Sequence, residues 1–302
     1  MRRILVIRGG AIGDFILTLP AIRLLRDAFP AAHLEILGYQ HIVRLAVLSG
    51  YANAMRSIEY GPLASFFVPE GELASELIEY FASFQQIVSY LFDPDEIFAN
   101  NLRRIGARNL IAVSPKITNG ECAARQLAKP LEQIGLYLLD PGPRILPDDS
   151  RKVDRNLIAI HPGSGSERKN WRLERFVELT KRLLERPQTR LLLIGGEADE
   201  RRLEGLQRHL PSDRIELARN LPLADLARRV RDCALFLGHD SGISHLAAAV
   251  GTPSVLLFGP TDPAIWAPQN AQVRIVRASC LTMEGIEQSA VMAAVVELSA
   301  MY

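Results

Sequence analysis

The stretch "ILVIRGGAIGDFILTLPAIRLLRDAF", residues 4–29, decides the fold. It reads as a buried strand, a glycine turn and a mostly apolar helix, with a single aspartate, Asp14, at the turn. A strand feeding directly into a helix is the building unit of an α/β protein with a parallel sheet. Outward from it the same alternation recurs. In the first half "HLEILGY", "QIVSYLF" and "NLIAVS" read as further strands, and "LASELIEYFASF" and "DEIFANNLRRIG" as helices. The second half starts over: "NLIAIHPG", "TRLLLIGG", "DRIELA", "CALFLGHD" and "PSVLLFG" read as strands, and "LERFVELTKRLLER", "ADERRLEGLQRHL", "LADLARRVRDC" and "SGISHLAAAVG" as helices. Residues 138–156, "LLDPGPRILPDDSRKVDRN", are rich in Pro, Asp and charge and read as an interdomain linker. Two α/β domains are expected, 1–145 and 146–302. The closing stretch "GIEQSAVMAAVVELSAMY" leaves two readings open: a return to the first domain, or an apolar surface for a partner.

Composition bounds the function. With 302 residues, 48% hydrophobic and 7% aromatic, the chain can build one large core or two medium ones. No run approaches the roughly 18 apolar residues of a membrane span, so a soluble, cytoplasmic protein is expected. Cys122, Cys233 and Cys280 fit neither a disulfide framework nor a zinc pattern and are expected to be buried small apolar residues. A net charge of +1 speaks against nucleic acid as the main partner.

In open α/β sheets, ligands bind beyond the carboxyl ends of the strands, and interdomain clefts favour the same places. After the first strand comes "RGGAIGD", whose Gly9, Gly10 and Gly13 match neither the G-x-G-x-x-G dinucleotide spacing nor a phosphate loop. They form a tight turn that lets backbone approach a ligand, with Gly13 assigned to the substrate. Asp14 there is either a first-turn carboxylate, favourable by roughly 0.5–2 kcal/mol, or an acceptor for a substrate proton. After the first strand of the second half comes "HPGSGSERKNW", residues 161–171. Ser164 and Ser166 supply hydroxyls and Lys169 a point charge, a composition that suits a phosphate; Trp171 is expected to pack under the loop. Glu197 follows two glycines at another strand end, placed equally well for a ribose diol or for starting a helix. In "LFLGHDSGISHLAAAVG", Asp240, Ser241 and Gly242 open a helix carrying His245, and a helix N-terminus of this kind is a ready anion site.

Together, "RGGAIGDFILTLPAIRLLRDAFP", "HPGSGSERKNWRLERFVELTKRL" and "LPLADLARRVRDCALFLGHDSGISHLAAAVGTPSVLLFGPTDP" resemble glycosyltransferase family 9, the bacterial heptosyltransferases, in order and spacing over most of the chain. These transfer heptose from ADP-heptose to the inner core of lipopolysaccharide. The resemblance implies a GT-B architecture, two Rossmann-like domains facing across a cleft, the first for the acceptor and the second for the nucleotide-sugar. By motif position Asp14 matches the catalytic base. Lys169, with Ser164 and Ser166, matches the donor-phosphate site, and Glu197 the ribose carboxylate. Asp240, Ser241, Gly242 and His245 match the segment that holds the donor sugar and diphosphate. The implied reaction is inverting and needs no metal or other cofactor; "DPDE", residues 93–96, reads as a helix start. The implied partners are a nucleotide-sugar donor and a lipid-linked oligosaccharide acceptor, the latter placing the protein at the inner face of the cytoplasmic membrane. The loop "YGPLASFFVPEG", residues 60–71, either approaches such an acceptor or packs down. Two rivals stand beside this reading, a nucleotide-sugar 2-epimerase of similar architecture and a degenerate non-catalytic nucleotide-sugar binder. An NAD-dependent oxidoreductase lacks its glycine fingerprint.

Overall fold

The computed structural model describes residues 2–107, 109–145 and 152–301, which divide into two compact units, Met1–Pro141 and Gly142–Tyr302. The division falls inside the stretch read as a linker, of which residues 146–151 lie outside the described residues.

The first unit alternates β1 (Arg3–Arg8), α1 (Ile12–Ala28), β2 (His33–Gly38), α2 (Gln40–Leu48), β3 (Ala54–Ser57), α3 (Ser75–Ala82), β4 (Gln86–Ser89), α4 (Ile97–Arg104), β5 (Leu110–Ala112) and α5 (Ala123–Ala128). Its five strands are parallel in the order β3-β2-β1-β4-β5. Continuous apolar runs such as "ILVI" suit a central strand buried on both faces, and β1 is buried from Ile4 through Arg8. The strand order reverses between β1 and β4, so the loops after these two strands border a crevice. Asp93 accepts from the N–H groups of Phe98 (3.3 Å) and Ala99 (2.9 Å) and caps α4, as the helix-start reading requires. In the 60–71 loop Leu63 and Phe66 are buried, whereas Phe67 and Val68 stay exposed.

The second unit runs β6 (Asp154–Ile160), α6 (Leu173–Leu184), β7 (Arg190–Gly195), α7 (Glu200–Gln207), β8 (Ile215–Arg219), α8 (Leu223–Arg231), β9 (Cys233–His239), α9 (Gly242–Ala249), β10 (Ser254–Phe258), α10 (Pro263–Trp266), β11 (Val273–Arg277) and α11 (Gln288–Met301). Its six parallel strands lie in the order β11-β10-β9-β6-β7-β8, the doubly wound arrangement whose ligand crevice opens between β6 and β9. Pairing of Ile160 with Leu237 brings the loop after β6 beside the loop after β9. Val291, Val295 and Leu298 of α11 join Trp171, Phe176 and Leu179 in this unit's core. That packing buries one face of the closing stretch, while Val296 on the same helix stays exposed.

Two strands escape the sequence reading, β3 and β11. Both are edge strands, and their half-exposed residues carry no continuous apolar run. The cysteines divide: Cys233 is buried, and that burial pushes its thiol up to about 12, but Cys280 is exposed, contrary to expectation.

Candidate functional site

In the first unit, the end of β1 and the start of α1 build a cluster around Asp14. Arg8, the last residue of β1, is 5% exposed, a costly place for a charge unless oxygens surround it. Its Nε donates to Thr18 Oγ1 (3.0 Å), Nη1 to the Tyr90 carbonyl (3.4 Å) and Nη2 to the Asp14 carbonyl (3.3 Å). Nη2 also lies 3.9 Å from Asp14 Oδ1. Burial pulls the Arg8 guanidinium below its ordinary value, and the charge of Asp14 works against that pull.

Asp14 is the third residue of α1, and its Oδ2 accepts from the Ala11 N–H at 3.0 Å, so it does serve the helix start. Its side chain nevertheless keeps 43% exposure. Gly10, at φ +95°, makes the turn, and a Cβ there would also crowd Asp14 Oδ2 at 3.0 Å. Gly13 lies within α1 and is not the turn residue.

In the second unit, five sequence-predicted residues, Lys169, Asp240, Ser241, Gly242 and His245, lie beyond β6 and β9. Asp240, 7% exposed, accepts at Oδ2 from Lys169 Nζ (2.7 Å) and Thr261 Oγ1 (2.8 Å). Its Oδ1 is 3.9 Å from His245 Nε2. An ammonium carries three donors; Asp240 takes one and orients the other two. Ser241 caps α9, its Oγ accepting from the Ser244 N–H at 3.3 Å, while Ser244 Oγ donates to the His239 carbonyl. Gly242 is the first residue of α9. A Gly there adds no side chain over the unsatisfied N–H groups of the first turn, where an anion binds.

The loop bearing Lys169 is clamped at both ends. His239 is fully buried; its Nδ1 faces the Gly163 carbonyl at 3.1 Å and its Nε2 accepts from the Trp171 N–H at 2.8 Å. Both ring nitrogens are thus used by a neutral imidazole, and burial pushes the ring down to about 3, against the help of the Gly163 carbonyl. Arg202 of α7 repeats the clamp, donating to the carbonyls of Pro162 (2.8 Å) and Trp171. Trp171 is buried, its ring edge-on to Phe176 at 5.5 Å, as a packing residue should be. Ser164 Oγ donates to the Ser166 carbonyl (2.8 Å) and accepts the Ser166 N–H (3.2 Å), so this hydroxyl shapes the loop. The Ser166 side chain is half-buried.

Glu197 opens the short turn after β7 and is exposed. The carboxylate bound into the site is Asp199, two residues on, whose Oδ2 lies 3.1 Å from His161 Nε2. Asp199 reaches so far under the loop that a Cβ on Gly163 would sit 1.9 Å from its Oδ1. Burial pushes the Asp199 carboxyl up, but the hydrogen bond and charge of His161, the Gly196 N–H and Arg202 outweigh it and hold the group below its usual range. His161, Asp199, Thr261, Arg8 and Thr18 are the residues that the sequence reading misses. Arg8, Thr18, His161 and Thr261 each lie inside a stretch quoted for the family resemblance, and Asp199 lies in none of them.

Comparison with known proteins fits this arrangement. Residues 122–293, more than half of the chain and including the whole Lys169–Asp240–Thr261 cluster, match the model of glycosyltransferase family 9 (heptosyltransferase). The chain belongs to this family. Along the sequence the transferase is 25% identical to lipopolysaccharide heptosyltransferase 3 of Escherichia coli K12, over 85% of this chain and 82% of that protein. Matches to heptosyltransferases 1 and 2 of other bacteria span less than half of those proteins. In structure the transferase resembles a family 9 glycosyl transferase from Veillonella parvula (TM-score 0.78, 20% identity, 100% of this chain and 98% of that one). It also resembles the E. coli heptosyltransferase WaaC with ADP (TM-score 0.74, 16% identity, 98% and 99%), a protein also solved with ADP-2-deoxy-2-fluoro heptose. The fold is therefore GT-B, two Rossmann-like α/β domains. Among the described residues no helix of the transferase is long and apolar enough to cross a membrane.

Proposed function

We propose that this transferase moves a heptose, or a related sugar, from an ADP-sugar to a lipopolysaccharide-core acceptor, with inversion and without a metal ion. The observation that carries the reading is the Lys169–Asp240–Thr261 cluster beside the N-terminus of α9, at the strand-order reversal where such folds bind ligands. Family membership supports the chemistry, and the ADP and ADP-sugar complexes of WaaC support the donor.

Asp14 takes the proton of an acceptor hydroxyl as that oxygen attacks the anomeric carbon opposite the diphosphate. The bond from that carbon to the diphosphate oxygen breaks, and its electron pair leaves on the diphosphate. Lys169 and the first N–H groups of α9 meet this growing charge, the role a metal plays elsewhere. Asp240 and Thr261 keep the Lys169 ammonium in place, His245 lines the sugar side, and Ser164 and Ser166 hold the loop around the phosphates. Glu197, exposed after β7, accepts the ribose hydroxyls. The first unit receives the acceptor, and the exposed Phe67 and Val68 suit a lipid-linked one at the cytoplasmic face of the inner membrane.

A thermal-shift titration with ADP, UDP, GDP and NAD, with and without chelator, tests the donor. ADP at 100 times its dissociation constant should add about 2.7 kcal/mol, several degrees for a protein of this size. Stabilisation by ADP alone, unchanged by chelator, followed by ADP release from ADP-heptose dependent on a core acceptor, is expected. Stabilisation by UDP instead would overturn the donor, and turnover of donor without acceptor would restore the epimerase reading.

A further inference from the structure

Beside the strand-order reversal of the first unit, a cavity of about 250 Å³ lies at the carboxyl ends of β4 and β5. Ser89, Leu91, Phe92, Asp93, Glu96 and Ser114 are among its lining residues. The loop after β4 is anchored to the Asp14 cluster. The Tyr90 N–H donates to the Ile7 carbonyl (2.8 Å), the Tyr90 carbonyl accepts from Arg8 (3.4 Å), and Leu91 lies 3.8 Å from where a Cβ on Gly9 would stand. The cavity therefore adjoins the turn that carries the proposed base. Pockets that enclose a drug-sized ligand begin near about 300 Å³; this one has room for a single ring.

Phe92 is 71% exposed, and an aromatic ring left in water beside a cavity offers a flat apolar platform. Around it stand groups that both give and take hydrogen bonds. The hydroxyls of Ser89 and Ser114 accept the N–H groups of Leu91 (3.5 Å) and Lys116 (3.3 Å), and among the described residues neither spends its own hydrogen. Asp93 takes one N–H on each oxygen and, with about four lone-pair sites, keeps room for more. Glu96 bonds Arg103 through Oε2 at 2.8 Å. An apolar platform with donors and acceptors around it matches a sugar ring, whose faces are C–H groups and whose edge carries hydroxyls.

Charge narrows the choice of sugar. Asp93 and Glu96 are the charged side chains that line the cavity, and among the described residues no Lys, Arg or His lines it. Lys116 and Lys129 line a separate hollow that shares Ser114. Asp93 is already matched by N–H groups in the first turn of α4, and Glu96 by Arg103, so the cavity does not call for a cation. A carboxylate or phosphate on the ring would instead meet two like charges with no counter-ion, the arrangement by which sites reject wrong partners. We propose that this cavity seats the acceptor's reacting sugar as an uncharged ring on Phe92, and that Asp93 and Glu96 exclude sugar acids and sugar phosphates. The proposal deepens the acceptor reading of the first unit and rests on it.

Saturation-transfer NMR can compare a neutral methyl hexoside with its methyl uronoside, which carries a carboxylate in place of the hydroxymethyl group. Wild type should transfer saturation to the C–H face of the hexoside and bind the uronoside at least about tenfold more weakly. Phe92→Ala should weaken hexoside binding about tenfold at an unchanged melting temperature, since the ring is exposed, and Phe92→Trp should keep it. Glu96→Gln should narrow the gap between the two sugars. Three results overturn the proposal while the transferase reading stands: no hexoside binding, a uronoside bound as well as the hexoside, or equal hexoside binding by Phe92→Ala and wild type. Hexoside binding on Phe92 without acceptor-dependent ADP release from ADP-heptose overturns the acceptor reading instead, and the ring is then a ligand but not a substrate.

Discussion

The two strand-order reversals in this chain are built on opposite plans. Beyond β1 and β4, one carboxylate, Asp14, keeps 43% exposure and leans on one buried guanidinium, Arg8. Beyond β6 and β9, Asp240, His161, His239 and Asp199 are buried or nearly so, and each already has its hydrogen-bonding partners. The difference follows from the tasks proposed for them. A base has to be reached by the proton it takes, so it is left open on one side. A site that stabilises a leaving anion works best when its donors are fixed before the charge develops. The first cluster is thus one half-open carboxylate beside a buried cation, and the second is a set of buried groups already bonded to one another.

The contrast is broken most sharply at Asp14. Asp14→Asn should lower kcat by about 10²–10⁴, the usual contribution of a positioned base, while leaving the ADP Kd and the melting temperature near wild type. A large fall in melting temperature with normal activity per folded molecule would reduce Asp14 to a helix-start residue. Lys169→Ala comes next. It removes the ammonium and leaves the Asp240 carboxylate, 8% exposed, with only Thr261 on Oδ2. Loss of about 10²–10³ in kcat/KM, typical of a removed transition-state donor, should accompany weaker ADP binding. Here both readouts move, where Asp14→Asn moves one.

Smaller effects sharpen the comparison through stability. Arg8→Met leaves the buried Thr18 hydroxyl and the Tyr90 carbonyl without their donor, which should cost about 1–3 kcal/mol in urea unfolding. The smallest effect is that of Asp199→Asn, and it depends on pH. The folded state holds the Asp199 carboxyl below its ordinary value. The stabilisation is therefore present above the unfolded pKa and fades as pH falls through the folded one. Wild type should be more stable than the variant near neutrality, and the gap should close in acid. A gap constant with pH would show that Asp199 acts by shape alone.

Much of the fold was legible because its central strands are continuous apolar runs, as in β1, β7 and β10. Edge strands gave no such signal: "AMRS" and "VRIVR" mix charge with short apolar patches because one side of each faces solvent. In the site, the legible residues lie in or just after the glycine-bearing turns that follow strands: Asp14, Lys169, Asp240 and Ser241. The illegible ones are bound to them from afar in sequence. Thr261 meets Asp240 across 21 residues and His161 meets Asp199 across 38, and such pairings exist only once strands are laid side by side. Arg8 was hidden by its place at the end of an apolar strand, where a charge reads as the strand's edge. The loop after β7 holds both kinds: Glu197 was legible beside its glycines, and the half-buried Asp199 two positions later carried no such signal.

The loop between Gly163 and Trp171 begins and ends on the same imidazole ring, that of His239. Such a loop is a cassette. Its two fastenings are a backbone carbonyl and a backbone N–H, groups that every non-proline residue carries, so the ring grips the main chain and leaves the side chains between them to face the ligand.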